Sequence, residues 1–195
     1  MTSPTHEQVR ILKVETLSDD WYILKKTTFE YQRGDGTLQT LTRETYDRGN
    51  GAVILPYDPA RKTVLLTRQF RFPAYVNGHP GTLIEACAGL LDERDPVTAI
   101  RAEAEEELGY RLRDVHKIFE AFMSPGSVTE KLFFFVAEYD HSARVGDGGG
   151  LVADGEDIDV LELPIDQALH RVETGEIMDG KTIMLLQYVR LHHLL

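Results

Sequence analysis

Cysteine is almost absent from the sequence: Cys87 is the single one, so these residues form no disulfide among themselves. This composition suits a reducing compartment such as the cytoplasm. Long apolar runs are missing as well, since no stretch approaches the ~20 residues that a membrane-spanning helix requires. Residues 1–10 are polar and contain no apolar signal core. The sequence therefore predicts a cytoplasmic protein that has no membrane partner.

Positive charge is also scarce, with 21 Lys and Arg against 32 Asp and Glu and a formal net charge of −11. Proteins that bind a nucleic-acid backbone carry a basic patch, so this balance argues against nucleic acid as a partner. A small phosphorylated ligand remains compatible, because a bound metal ion reverses the local field of an acidic site. With 195 residues and 42% hydrophobic residues, the chain is long enough for one domain and a small accessory element.

Strands dominate the sequence pattern. Residues 8–72 consist mainly of β-rich segments, and the Asp-Gly pair within Arg33–Thr37 predicts a hairpin turn. Residues 73–82 are expected to form a loop because they hold two Pro and two Gly. The glycine-rich residues 146–150 are predicted to form a flexible loop.

Three helices are predicted. Asp95 is a suitable N-cap for the first of them, Pro96 fits its first position, and Gly109 is a suitable end. A helix of about ten residues starts at Pro164, and residues 181–194 form the last one.

Together these elements predict an α+β fold, a sandwich built around a mixed sheet. Residues 1–48 are expected to form a separate, small antiparallel sheet that packs on the main domain or on a second subunit. Residues 49–195 then form the main domain.

The first helix carries an unusual set of carboxylates. Glu103, Glu106 and Glu107 have i, i+3 and i+4 spacing and share one face, from which Glu105 points away. An apolar stripe on the same helix consists of Val97, Ile100, Ala104 and Leu108. Like charges at this spacing repel, and acidic groups are disfavoured at the negative C-terminal end of a helix. A solvated acidic face is the structural alternative, but a hard divalent cation such as Mg²⁺ would resolve the conflict.

Residues 89–95, followed by 103–110, resemble the Nudix box, a loop–helix–loop written G-x5-E-x7-R-E-U-x-E-E-x-G-U with U a bulky apolar residue. The sequence departs from this box by carrying Asp95 at the first Glu and by having one residue fewer before the R-E pair. Ala102 stands at the Arg position and Ala104 at the first U position. Since the box Arg orients the glutamates in the wider family, Arg101, one position earlier, is the candidate to replace it.

The shortened box and several further segments are similar to the bacterial GDP-mannose hydrolases within the ADP-ribose pyrophosphatase branch of the family. These segments span residues 43–52, 68–71, 76–78, 87–92, 123–130, 156–163 and 174–182. The resemblance implies a Nudix-type α/β/α sandwich and Mg²⁺-dependent hydrolysis of GDP-mannose to GMP and mannose 1-phosphate, with Mn²⁺ as a second possible metal. It also implies a homodimer whose N-terminal strands help to build the neighbour's site.

The same resemblance implies roles for individual residues. The metal ligands would be Glu103, Glu107, Glu156 and the carbonyl of Ala88. The substrate would contact Trp21, Arg43, Glu44, Arg71, Ala88, Gly89, Leu90, Glu130 and Lys181. The catalytic set would be Glu103, Glu106, Glu107, Glu130 and Glu156, of which Glu106, Glu130 and Glu156 are candidate bases. The structural alternatives are a core position for Trp21 and surface charges for Arg43 and Arg71.

Other functions remain open on the sequence alone. ADP-ribose hydrolysis uses the same chemistry on another base and sugar. Attack at the sugar carbon would release GDP and free mannose, although the intact glutamates favour attack at phosphorus. A nucleotide-sugar sensor without catalysis is the alternative from another class, because Asp95 and Ala102 depart from the box. The presence of all three glutamates of the helix argues against that sensor.

Overall fold

The computed structural model describes residues 8–151, 153 and 155–195. Their contacts divide the chain into two units. The first unit comprises the described residues up to Gly49 together with Phe122–Glu130. The second comprises Asn50–Ala121 and the described part of Lys131–Leu195. Residues 122–130 thus join the first unit, whereas the sequence analysis assigned them to the main domain. The division into domains at residue 48 stays a prediction.

The first unit contains a three-stranded antiparallel sheet in the order β1-β2-β3. Its strands are β1 (Val9–Asp19), β2 (Ile23–Gln32) and β3 (Leu38–Asp47). The predicted hairpin turn is confirmed between β2 and β3. Asp35 Oδ1 accepts hydrogen bonds from the backbone N of Thr37 at 2.9 Å and from its hydroxyl at 2.6 Å. Gly36 has a φ of 84°, a conformation that suits glycine.

The second unit is built on a seven-stranded mixed sheet, in which β10-β5-β4-β9-β8 follow one another, β6 pairs with β5 and β7 pairs with β4. The strands are β4 (Gly51–Asp58), β5 (Thr63–Phe70), β6 (Thr82–Glu85), β7 (Cys87–Leu90), β8 (Val115–Phe122), β9 (Lys131–Glu138) and β10 (Asp159–Pro164). β4 and β9 are parallel, whereas β4 pairs antiparallel with β5 and β7. All eight residues of β4 are buried, in agreement with its apolar run at residues 52–55.

Helices cover this sheet. They are α1 (Phe72–Val76), α2 (Pro96–Glu103), α3 (Ile165–Glu173), α4 (Gly180–Leu191), a π-helical turn at Ala104–Leu108 that continues α2, and a 3₁₀ turn at His141–Ala143. The predicted α+β fold is confirmed. The short helix α1 lies where the sequence predicted a loop, because a five-residue helix is too short to show periodicity. Among the described residues, no helix is long and apolar enough to cross a membrane.

The start and end of the carboxylate helix agree with the prediction. Asp95 Oδ1 accepts hydrogen bonds from the backbone N of Val97 at 3.1 Å and of Thr98 at 3.0 Å, and Pro96 occupies the first turn. Gly109 ends the π-helical turn with a φ of 76°. The predicted apolar stripe packs into the core, where Ile100, Ala104 and Leu108 are buried and Val97 is partly buried. The core therefore fixes which helix face the glutamates occupy.

Replacing Asp95 by Ala should lower the free energy of unfolding by about 1 kcal/mol, because two backbone donors at the helix start lose their acceptor. Urea unfolding followed by circular dichroism measures the change. Asp95→Asn is the matched control, since an Asn side chain keeps an acceptor oxygen and should unfold near the wild-type midpoint. Equal midpoints for the Ala variant and the wild type would contradict the capping role.

Candidate active site

The helix that carries the glutamates changes its hydrogen-bond pattern at Ala104 and ends as a π-helical turn. The sequence predicted a uniform α-helix up to Gly109, which is wrong for this last turn. Such turns are rare and occur often at functional sites. Glu107 becomes 2% exposed within it, whereas Glu105 faces solvent and pairs with Arg111 at 2.7 Å. Glu105 thus points away from the other glutamates, as predicted.

Four of the predicted catalytic carboxylates lie in one electrostatic cluster. Burial raises the pKa of Glu107 to about 7, and the charges of Glu103 and Glu156 add to this effect. A hydrogen bond with the Cys87 thiol opposes the rise. Burial also raises the pKa of Glu103, followed by repulsion from Glu106 and Glu156. The cluster therefore holds more negative charge than its surroundings neutralise.

One oxygen of this cluster lacks a partner. Among the described residues, Glu107 Oε2 is buried and finds no hydrogen-bond donor. An unpaired buried polar atom is costly in a folded protein and calls for a ligand that the described residues do not supply.

The glycine-rich segment 146–150 packs against the π-helical turn and is not the flexible loop that the sequence predicted. The backbone N of Gly149 donates to the carbonyl of Glu107 at 2.9 Å, and that of Gly150 donates to the carbonyl of Glu106 at 3.3 Å. These bonds satisfy carbonyl groups that a helix end leaves unpaired. A Cβ added at Gly148 would lie 2.4 Å from the carbonyl oxygen of Glu107, so glycine is required there.

This segment also brings Glu156 to the cluster. A Cβ at Gly150 would lie 2.4 Å from Glu156 Oε2, which accepts a hydrogen bond from the backbone N of Leu151 at 2.9 Å. The opposite wall is β7, which contains Ala88, Gly89 and Leu90. A Cβ at Gly89 would lie 2.2 Å from the carboxyl carbon of Glu103, so only glycine allows this approach. The backbone of β7 therefore lies directly against Glu103.

A pair of cations accompanies the carboxylates. Arg71 donates to Glu85 Oε2 from Nε at 3.1 Å and from Nη2 at 2.8 Å, and Lys181 Nζ lies 3.4 Å from the same oxygen. Burial opposes the charged form of Arg71, but Glu85, Glu107 and Asp179 together raise its pKa. The field of Glu107 thus reaches Arg71. The interpretation of Arg71 as a simple surface charge is wrong, because its guanidinium binds a buried carboxylate.

Glu85 was missed by the sequence analysis. It is 3% exposed at the end of β6, and burial alone would raise its pKa. The charges of Lys181 and Arg71 outweigh this effect and hold the pKa of Glu85 below its ordinary value. The available signal was a single acidic residue inside the apolar stretch 83–86.

The remaining predicted residues belong to the first unit. Trp21 is 81% exposed, so its interpretation as a core residue of this chain is wrong. Arg43 donates to the carbonyl of Thr42 at 2.8 Å, and Glu44 is exposed beside it on β3. Glu130 lies 3.4 Å from Arg48. It stays a prediction that the substrate site combines the carboxylate cluster with these four residues, Trp21, Arg43, Glu44 and Glu130.

Family models match nearly the whole chain. A model described as the GDP-mannose pyrophosphatase NudK N-terminal domain matches residues 8–46, and a model of the NUDIX domain matches residues 47–183. The chain belongs to the Nudix family. The resemblance that the sequence indicated is therefore confirmed, and the protein is a Nudix hydrolase.

Relatives of this Nudix hydrolase align over nearly its full extent. A GDP-mannose pyrophosphatase of Escherichia coli O1:K1 / APEC is 51% identical over 190 residues, which is 97% of this chain and 98% of the relative. A GDP-mannose pyrophosphatase of Shigella dysenteriae serotype 1 (strain Sd197) is 50% identical with the same coverage. A solved structure described as an ADP compounds hydrolase is similar with a TM-score of 0.72 at 18% identity, covering 96% of this chain and 95% of that one. At this low sequence identity, the structural similarity supports the assignment of the fold but not of the activity.

The departures from the Nudix box have structural explanations in this Nudix hydrolase. Asp95 serves as the helix N-cap. Arg101 donates to the carbonyl of Arg113 and faces away from the cluster, so the prediction that it replaces the box Arg is wrong. Arg94 Nη2 lies 3.3 Å from Glu103 Oε1 instead. Arg94 precedes the helix, and helical periodicity therefore could not indicate it.

The acidic cluster fits a divalent cation, although no three Asp, Glu, His or Cys side chains of the described residues already surround one point. Glu103 is held by Arg94 and Glu156 by a backbone amide, which keeps the carboxylates apart. The donor set consists of hard oxygens, with Glu107 Oε2 unpaired, and such oxygens suit Mg²⁺. A family that generally uses divalent metal ions agrees with this set.

The metal-free protein should lose stability as pH rises from about 4.5 to about 7. Folding raises the pKa of Glu107 from 4.5 to about 7, so the folded protein keeps a proton that the unfolded chain releases in this range. The stabilisation is present in full below 4.5 and is lost above 7, and it amounts to roughly 3 kcal/mol. In EDTA, urea unfolding at pH 5 and pH 8 should therefore show this loss for the wild type and much less of it for Glu107→Gln.

Glu105→Gln is the matched control, because Glu105 lies in the same π-helical turn but outside the cluster. It should follow the pH dependence of the wild type. An unchanged pH dependence in Glu107→Gln would show that Glu107 does not hold the proton.

Proposed function

We propose that this Nudix hydrolase cleaves the pyrophosphate bond of GDP-mannose and releases GMP and mannose 1-phosphate, with Mg²⁺ as the metal and Mn²⁺ as a possible replacement. The observation that carries the proposal is the cluster formed by the buried Glu107 with the half-buried Glu103 and Glu156, within the field of Arg71. The relatives named as GDP-mannose pyrophosphatases, at up to 51% identity, support the substrate. We place the reaction in the cytoplasm, in keeping with the single cysteine.

Glu103, Glu107, Glu156 and the carbonyl of Ala88 would hold the metal. A divalent cation at this position would neutralise charge on the diphosphate and lower the pKa of a water molecule. Glu107 supplies an oxygen that is unpaired among the described residues, and burial keeps it from bulk water. Arg94, which is bonded to Glu103, holds that carboxylate in place.

The diphosphate oxygens would bind Arg71 and Lys181, which carry the positive charge beside the cluster. Gly89 and Leu90 would lie along the substrate on the β7 side. Trp21 has an exposed ring that is suited to stacking on guanine, and Arg43, Glu44 and Glu130 would add polar contacts. The proton of the attacking water would pass to one of Glu106, Glu130 and Glu156.

We further propose that the protein is a homodimer. β1 is an edge strand of its sheet and exposes apolar side chains, which is unfavourable in water. The exposed apolar side chains of β1 are Val9, Ile11, Leu12, Val14 and Leu17. The pairing element would be the domain formed by residues 1–48, and residues 49–195 would form the hydrolase domain.

A panel of nucleotide sugars assayed with Mg²⁺ should give the highest kcat/KM for GDP-mannose. Glu107→Gln should lower kcat roughly 1,000-fold, since losing one metal-binding carboxylate removes several kcal/mol of charge stabilisation. Glu105→Gln should stay near the wild type, because Glu105 pairs with Arg111 outside the cluster. Product analysis by chromatography identifies GMP and mannose 1-phosphate.

A higher kcat/KM for ADP-ribose would overturn the substrate. Release of GDP and mannose, with labelled oxygen from water in the mannose, would indicate attack at the sugar carbon. Tight binding of GDP-mannose without any turnover would favour the sensor function.

Ile11→Glu should shift the protein toward a monomer in analytical ultracentrifugation, because it places a charge in the apolar surface of β1. Ile11 is 56% exposed in the single chain, so the substitution should leave the monomer folded. Lys13→Gln on the same strand is the control and should remain dimeric. A dimer of unchanged strength in Ile11→Glu would rule out this surface as the interface.

A further inference from the structure

Glu85 is a buried acid with an unusual setting. It ends β6, where it lies opposite Thr67 of β5, and both residues are almost completely buried. The hydroxyl of Thr67 donates to the carbonyl of Glu85 at 3.2 Å, which leaves the Glu85 carboxylate for other partners. Isolated charges are strongly disfavoured in such surroundings. The carboxylate must therefore be held by positive charge.

Two cations meet at this carboxylate. Arg71 approaches with one edge of its guanidinium, from Nε and Nη2, and Lys181 approaches the same oxygen, Oε2. Glu85 is 4% exposed as a side chain, whereas Arg71 is 40% exposed. The guanidinium is therefore held along its Nε and Nη2 edge by the buried carboxylate, while part of the Arg71 side chain stays open to a ligand. This geometry orients the planar fork of an arginine toward an incoming anion.

Stability alone is a weak explanation for this arrangement. Buried ion pairs can often be replaced by apolar residues without loss of stability, because desolvation offsets the attraction. By contrast, an arginine that is already held in its binding orientation loses less conformational entropy when a ligand binds, which strengthens binding.

Further hydrogen bonds tie Lys181 to the backbone beside Glu85. The backbone N of Ala86, next to Glu85, donates to the hydroxyl of Thr182 at 2.7 Å. That hydroxyl donates to Asp179 Oδ2 at 2.5 Å, and Asp179 Oδ1 accepts from Lys181 at 3.0 Å. The start of α4 is thus linked by hydrogen bonds to the backbone next to Glu85. Displacement of Lys181 would break its contacts with both Asp179 and Glu85.

We infer that Glu85 is a positioning residue that orients Arg71, with Lys181 beside it, to bind the diphosphate of a nucleoside diphosphate sugar. The inference rests on the proposed function. It gives a role to Glu85, which is neither a proposed metal ligand nor a proposed substrate-binding residue. Glu85 acts through Arg71 and touches no substrate.

The test uses GDP as the probe, measured by calorimetry in EDTA, so that neither metal nor turnover is needed. Glu85→Asp keeps the charge but withdraws the carboxylate by one methylene, and it should raise the Kd of GDP about ten-fold. The same substitution in an Arg71→Ala background should change the Kd less than two-fold, because the residue that Glu85 orients is gone. Glu176→Asp, at the exposed pair with Arg171, is the matched control and should leave the Kd unchanged.

A second variant separates orientation from charge. Glu85→Gln keeps the shape and removes the negative charge, and it serves also if thermal unfolding shows that Glu85→Asp is unfolded. Weaker GDP binding supports the inference. Tighter binding overturns it, because Glu85 would then act only as a counter-charge that restrains the cations.

Further outcomes overturn the inference directly. These are an unchanged Kd in Glu85→Asp, an equal rise in the Arg71→Ala background, and a wild type that does not bind GDP. Because the Kd requires no turnover, the expected pattern in a protein that leaves GDP-mannose intact would refute the proposed function and retain the role of Glu85. Hydrolysis of GDP-mannose by the wild type, together with an unchanged Kd of GDP in Glu85→Asp, would support the proposed function and refute the role of Glu85.

Discussion

Repulsion among clustered carboxylates around the buried Glu107 is the constraint on which the candidate site depends. Glu103 and Glu107 lie near the C-terminal end of a helix, where the negative end of the helix dipole disfavours acidic groups. Glu156 adds a third negative charge. The backbone approaches two of these carboxylates closely, at Gly89 beside Glu103 and at Gly150 beside Glu156. A Cβ at either glycine would overlap the neighbouring carboxylate. The cluster is therefore crowded by its surroundings, and burial favours the protonated form of Glu107 until a cation binds.

In the positively charged part of the site, like charges are held together by an opposite charge. Arg71 and Lys181 would repel each other, but a single buried oxygen of Glu85 holds both. The cluster and the cation pair are connected, because the charge of Glu107 reaches Arg71. An extended anion with metal-binding and arginine-binding oxygens matches this separation of charges better than a neutral ligand would.

Sequence periodicity predicted the parts of the site that are local in the chain. The glutamate face, the Asp95 cap and the end at Gly109 all follow from rules that act within a few turns of helix. Arg94 could not be predicted in this way because it precedes the helix, and Glu85 could not because Arg71 and Lys181 reach it only in the folded chain. The π-helical turn was missed as well, since its carbonyl groups are satisfied by the distant segment 146–150. For Trp21, the sequence could not distinguish an exposed ring from a core position, because an aromatic residue in a β-rich segment is compatible with both.

The docking of segment 146–150 on the π-helical turn has a consequence for observing the protein. The amide protons of Gly149 and Gly150 point at the carbonyl groups of Glu107 and Glu106, so their solvent exchange depends on whether the end of the helix stays closed. These two glycines are therefore built-in reporters, and their signals in a nuclear magnetic resonance spectrum would follow the integrity of the acidic centre without any label placed inside it.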